Sequence, residues 1–136
     1  LYPYKHKDNQ VVVCEGPLDA ISLQIQGINA TATMGCKISK WQAKMLSQLQ
    51  SNNSALDTGK IVLAFDNDSA GHEGLAHFEK LRKQCGMQEF FVCFPPEKYK
   101  DWNEAHIAGI KLREYINKNT QSFNFSYQIN DSLKQP

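Results

Sequence analysis

The chain has 136 residues, 41% of them hydrophobic and 21% charged, which is one domain's worth with enough apolar material for a core. A formal net charge of +1 provides no global basic field, so any nucleic-acid contact would have to come from a local patch. No apolar run approaches the roughly 18 residues of a membrane span, and Leu1 to Gln10 is too polar and aromatic for a signal peptide.

Gln10 to Cys14 is continuous and β-branched, the pattern of a strand buried on both faces. Pro17 suits the first turn of a following helix, in which Leu18, Ile21 and Ile25 mark one face and Gly27 ends the element. Ile28 to Thr33 reads as a short strand, and Met34-Gly35-Cys36-Lys37 as a loop. Ser39 is the expected N-cap of a helix with Trp41, Met45 and Leu49 on a shared face. A polar loop runs from Ser51 to Gly59, and Lys60 to Phe65 is the clearest strand. Asp68 or Ser69 caps a helix with Leu75, Phe78, Leu81 and Cys85 inward, closed by Gly86. Glu89 to Phe94 is a fourth strand ending at Pro95-Pro96, and a helix after Asp101 carries Ala105, Ala108, Leu112 and Tyr115 on one face.

Strands alternating with helices predict an α/β fold with a parallel sheet of about four strands and right-handed crossovers. Residues 1–9 form an N-terminal extension and 10–118 the domain. Residues 119–136 form a polar tail, either an edge strand with Phe123, Phe125 and Tyr127 alternating or a linker. The Leu start and polar ends read as a domain cut from a longer protein. Cys14, Cys36, Cys85 and Cys93 form no Cys-x-x-Cys pair and read as reduced thiols of a cytoplasmic protein. The four histidines have no metal-ligand spacing.

Acidic residues stand at the strand ends. Glu15-Gly16-Pro17-Leu18-Asp19 follows the first strand, and Asp66-Asn67-Asp68-Ser69-Ala70-Gly71 follows the third. Ligands of an open parallel sheet bind beyond the carboxyl ends of its strands, so the first and third strands should be neighbours, in the order 2-1-3-4. Hard divalent cations take oxygen ligands, which makes Glu15, Asp66 and Asp68 candidate metal ligands. Each has a plainer reading: Asp66 and Asp68 as turn or capping residues, Asp19 as a favourable charge in a first helical turn, Glu15 as a solvated loop residue. Lys100-Asp101-Trp102-Asn103-Glu104 offers Asp101 either as a third acid in the crevice or as an N-cap with Glu104 three residues on. Lys37 is either a phosphate contact or a solvated loop residue, and Gly71 would allow a close approach.

Together these residues resemble the Toprim domain shared by bacterial-type primases, topoisomerases and certain nucleases. Glu15 matches the family's acid after the first strand, and Asp66 and Asp68 its Asp-x-Asp after the third. The segment Lys100 to Glu104 resembles a Lys-Asp-x-Asn-Glu signature of primase-like members in phage and mobile-element replication proteins. The resemblance spans about Gln10 to Ala108. It implies a Rossmann-like Toprim fold and Mg²⁺ or Mn²⁺ held by Glu15, Asp66 and Asp68, with Glu15 as general acid/base. Asp19 and Asp101 would support the metals, while Lys37, Lys100, Gly71, Asn103 and Glu104 are possible phosphate or substrate contacts. The function expected from it is the catalytic core of a DNA primase, joining nucleoside triphosphates on a single-stranded DNA template, with a helicase as a possible partner and no membrane. A Toprim nuclease and a non-catalytic nucleic-acid or protein-binding scaffold are the alternatives.

Overall fold

In a computed structural model, residues 10–35, 37–51, 60–87 and 89–123 are described. The element order is β1 (Gln10–Cys14), α1 (Pro17–Ile25), β2 (Ala30–Ala32), α2 (Lys40–Ser51), β3 (Lys60–Leu63), α3 (Ser69–Cys85), β4 (Phe91–Val92), α4 (Trp102–Ile107), α5 (Leu112–Asn119) and β5 (Gln121–Ser122). The sheet order is β2-β1-β3-β4-β5. The first four strands are parallel in the expected 2-1-3-4 order, and β5 adds an antiparallel edge beside β4. Phe123 follows β5 and stacks on Phe90 with ring centroids 4.7 Å apart. The 1–9 extension, the 52–59 loop, Cys36, Phe125 and Tyr127 lie outside the described residues.

The sheet is covered on both faces, which explains why β1 and β3 are apolar without alternation. Val11, Val13, Ile61 and Leu63 face a core completed by Leu46 of α2 and Leu75, Phe78 and Leu81 of α3. Val12, Cys14, Val62 and Ala64 face the other core, with Ala20 and Leu23 of α1, Trp102 and Ala105 of α4, and Leu112 and Ile116 of α5. Cys14, Cys85 and Cys93 are free thiols, and burial pushes the Cys14 thiol well above its ordinary pKa.

Three helix expectations are corrected. In α1 the residues Leu18, Ile21 and Ile25 face solvent, while Asp19, Ala20, Ser22 and Leu23 turn inward. Small and polar side chains are needed on that side because α1 packs against α4 and hydrogen-bonds to it. In α2 Trp41 is exposed, and Ala43 and Leu46 make the fully buried contacts. The last helix is two: Gly109 adopts φ +84°, a left-handed conformation that glycine reaches without a Cβ penalty, and separates α4 from α5. Ala105 and Leu112 are buried on either side of that break, and Ala108 is exposed. The helix α3 is as expected, with Asp68 as N-cap and Gly86 in the left-handed C-cap conformation.

Trp102 ties the second core to the sheet. It is fully buried, and its indole N–H donates to the carbonyl of Ala64 at 2.9 Å, just beyond β3. Trp102→Phe keeps most of the apolar volume but leaves that carbonyl unpaired, for an expected loss of about 1–3 kcal/mol. Trp102→Ala adds a cavity, for about 3–5 kcal/mol. Urea unfolding at unchanged m-value is the measurement, and equal stabilities for Trp102→Phe and wild type would refute the tie.

Candidate active site at the carboxyl edge of the sheet

The parallel pairing of β1 and β3, in register Val13 to Leu63, brings the two acidic turns side by side. Glu15 Oε1 accepts the backbone N–H of Asp66 at 3.1 Å, so the first acid of one turn grips the main chain of the other. The carbonyl of Asp66 accepts the N–H of Asp68 at 3.0 Å, folding the Asp-x-Asp segment tightly. Gly71 closes over the same carbonyl: a Cβ there would stand 2.0 Å from Asp66 O, so no side chain fits at the start of α3.

The five acids occupy different positions. Asp68 is exposed and caps α3, its Oδ1 accepting from Gly71 N at 2.7 Å. Asp101 caps α4, accepting from Glu104 N at 2.8 Å. Asp19 is nearly buried and accepts the backbone N–H of Asn103 at 3.0 Å, with Trp102 N–H as a further partner. Asp66 differs from the others, because its Oδ1 is buried and has no hydrogen-bond partner among the described residues. A buried carboxylate oxygen left unpaired is costly, and a cation or a proton is the chemical remedy.

Electrostatics mark the same residue. Burial first, then the charges of Glu15, Asp19, Asp68 and Asp101, push the Asp66 carboxyl up to about 7. Burial also lifts Glu15, against the pull of the Asp66 N–H and with further push from Asp68 and Asp19. Asp19 is raised by burial, opposed by the Asn103 N–H. Among the described residues no three His, Cys, Asp or Glu side chains form a closed ligand cage. The donors present are nevertheless all carboxylate oxygens, and a hard cation that keeps most of its waters needs only one or two of them.

Of the other sequence candidates, Asn103 is half-buried, with its Oδ1 3.0 Å from the Ser22 hydroxyl. Glu104, Lys100 and Lys37 are exposed. Ser22, Gln26 and Trp102 were not singled out by the sequence. Gln26 binds His106, the Ile110 carbonyl and the Leu112 N–H, which joins α1 to the α4–α5 break. No local pattern announces such a residue, since its partners lie some 80 positions away.

Comparison with known proteins places this edge in context. A family model described as Toprim-like matches residues 12–106. A DNA primase of Synechococcus elongatus is 42% identical over 100 residues, covering 70% of this chain and 14% of that protein. A DNA primase domain from Pseudomonas aeruginosa superimposes with TM-score 0.65 at 26% identity, over 84% of this chain and 34% of that one. The RNA polymerase domain of Mycobacterium tuberculosis primase gives TM-score 0.72 at 23% identity, over 93% and 40%. The chain therefore spans 14% of that Synechococcus elongatus primase and 34% and 40% of those two solved chains.

The raised Asp66 pKa predicts a signed pH dependence. The folded state holds the Asp66 proton up to about 7, whereas the unfolded chain releases it near the ordinary aspartate value of 3.8. The stabilising contribution is complete below about pH 4 and is lost as pH rises towards 7. Asp66→Asn is expected to remove that loss, so that in chelator it is more stable than wild type at pH 7 and loses this advantage at pH 4. Thermal melts across that range test it, and a pH-independent difference between the two proteins would overturn it.

Proposed function

The chain belongs to the Toprim-like family, and from that premise we propose that it is the catalytic core of a DNA primase or primase-like replication protein, forming phosphodiester bonds between nucleoside triphosphates on a single-stranded DNA template. One observation carries this reading: Glu15 and Asp66 meet at adjacent strand tips, with one Asp66 oxygen buried and unpaired. The sequence relatives that are DNA primases, and the primase domain that shares the fold at 26% identity, support it.

Asp66, through its free oxygen, and Asp68, through whatever its capping bond leaves available, are the residues proposed to hold Mg²⁺ or Mn²⁺ beside Glu15. When bound, the cation neutralises phosphate charge and offsets repulsion among the carboxylates. Glu15 keeps one oxygen on the Asp66 N–H, which orients the carboxylate. Its raised pKa suits taking the proton of an attacking 3′-hydroxyl. Gly71, bare at the start of α3, lets substrate approach the Asp66 main chain. Asp101 and Asp19 hold the start of α4, and Lys100, Asn103, Glu104 and Lys37 are the polar groups proposed to contact substrate. In the parent protein a helicase is a natural partner for such a core, and the cytoplasm its compartment. Among the described residues, no helix is long and apolar enough to cross a membrane.

Two measurements test the reading. Mn²⁺ is expected to raise the melting temperature of wild type but not of the Asp66→Asn, Asp68→Asn double variant, and equal rises would remove these residues as ligands. In the parent protein, Glu15→Gln is expected to lower primer synthesis by orders of magnitude while leaving template affinity unchanged. Near-normal ribonucleotide incorporation would exclude Glu15 as the acid/base. Activity and affinity lost together would make it structural.

A further inference from the structure

Trp41 is 70% exposed and Met34 63% exposed, on a segment that carries no negative charge. Between Asp19 and Asp57 the sequence holds Lys37, Lys40 and Lys44 but no Asp or Glu. All three lysines are exposed, and none is paired with a carboxylate among the described residues. Lys40 opens α2, and that first turn has no acid, the reverse of the arrangement that a helix dipole favours. Lys44 lies three residues beyond Trp41, on the same side of the helix.

The segment is exposed yet firmly held. Ile38 is fully buried, and its carbonyl lies 3.0 Å from His77 Nε2 of α3. Ser39 and Gln42 form a reciprocal cap: Ser39 N–H to Gln42 Oε1 at 3.0 Å and Gln42 N–H to Ser39 Oγ at 3.1 Å. Gln42 also donates to the Thr33 carbonyl at 3.1 Å, at the end of β2. Gly35 N–H donates to the carbonyl of Glu15 at 3.0 Å, so this loop is fastened to the main chain of the strand-tip acid. Met34 adopts φ +66°, a left-handed conformation unusual for its residue type.

We propose that Trp41, on a segment whose charged residues are Lys37, Lys40 and Lys44, is a base-stacking platform that holds a single strand of nucleic acid beside the Glu15 crevice. The inference rests on the primase reading and adds to it the place where the strand lies. An indole face stacks on any base, and lysines follow phosphates, which gives binding without sequence preference. A duplex hides its base faces and cannot use the platform. Lysine is depleted in the cores of protein interfaces, so a tryptophan among three lysines fits a polyanion better than a protein partner.

The test uses the full chain and its own fluorescence. The protein has two tryptophans, and Trp102 is fully buried, so quenching by an added strand reports Trp41. Oligothymidylate of about 12 nucleotides, within the range of single-strand site sizes, is expected to quench the emission at low salt. Read by the fluorescence anisotropy of a dye-labelled strand, because these variants lose the reporting indole, Trp41→Ala is expected to weaken binding about 5- to 150-fold, and Trp41→Phe to keep most of the affinity. Exchanging all three lysines for Gln should lower the salt slope by about 2. Unchanged Trp102 emission and melting temperature would show that Trp41→Ala is folded. Oligouridylate in a parallel titration tells whether the strand is DNA or RNA. No quenching by either strand, equal affinity for duplex, or unaltered binding by a folded Trp41→Ala would each overturn the platform. Glu15→Gln should quench like wild type. Its loss of synthesis alongside an indifferent Trp41→Ala would sink the platform alone, whereas normal synthesis by Glu15→Gln with Trp41-dependent binding would sink only the catalytic reading.

Discussion

Like charges crowded at the ends of two neighbouring parallel strands are the constraint around which this domain is arranged. Two carboxylates that follow β1 and β3 cannot avoid one another once Val13 is in register with Leu63. Water would ordinarily screen them, but Asp66 is partly withdrawn from it and one of its oxygens has no partner. The Glu15 to Asp66 N–H bond offsets part of the strain by giving one acid a main-chain donor on the other's turn. What is left over appears as the upward push on the Asp66 pKa, which means that the fold retains a local demand for positive charge.

The remaining acids reduce their own cost by capping helices. Asp68 and Asp101 each accept a main-chain N–H three residues on, and Asp19 does the same across space for the start of α4. Each therefore satisfies orphan amides of a helix end while standing near enough to Asp66 to raise its pKa. The turn and capping readings of these residues are thus structurally correct, and they do not compete with an electrostatic role. A carboxylate with one oxygen on an amide can still contribute charge, and its position is fixed by the helix it caps.

What was legible in the sequence follows from how local each feature is. Continuous β-branched runs such as Val11-Val12-Val13 and Ile61-Val62-Leu63 announce strands buried on both faces, and an acid directly after each run marks the strand tip. From these the 2-1-3-4 order followed, because only adjacent first and third strands let the acids share a crevice. The face of α1 was not legible. Its Leu18, Ile21 and Ile25 have the spacing of an inward stripe, yet the inward side is set by Asn103, whose amide needs Asp19. Position Gly109 carried a readable signal for the break between α4 and α5, outweighed by the apolar periodicity on either side. The fifth strand, only two residues long, depends on pairing with β4 and on Phe123 finding Phe90, neither of which is a local property.

Helix periodicity failed in α1 and α2 for opposite reasons, and the difference bears on how such faces are read. In α1 two of the four inward positions, Asp19 and Ser22, are polar and serve a second helix, while Leu18, Ile21 and Ile25 lie outside. In α2 the core contact is made by the fully buried Ala43 and Leu46 with the partly buried Leu49, and the segment before the helix is already anchored by the fully buried Ile38. Trp41 therefore adds nothing to the core from its place in the first turn. A large aromatic side chain that packing does not require, on a backbone held by four separate hydrogen bonds, is pre-organised for contact with something outside the domain. Such rigidity counts towards binding because an ordered contact residue loses little freedom when its partner arrives.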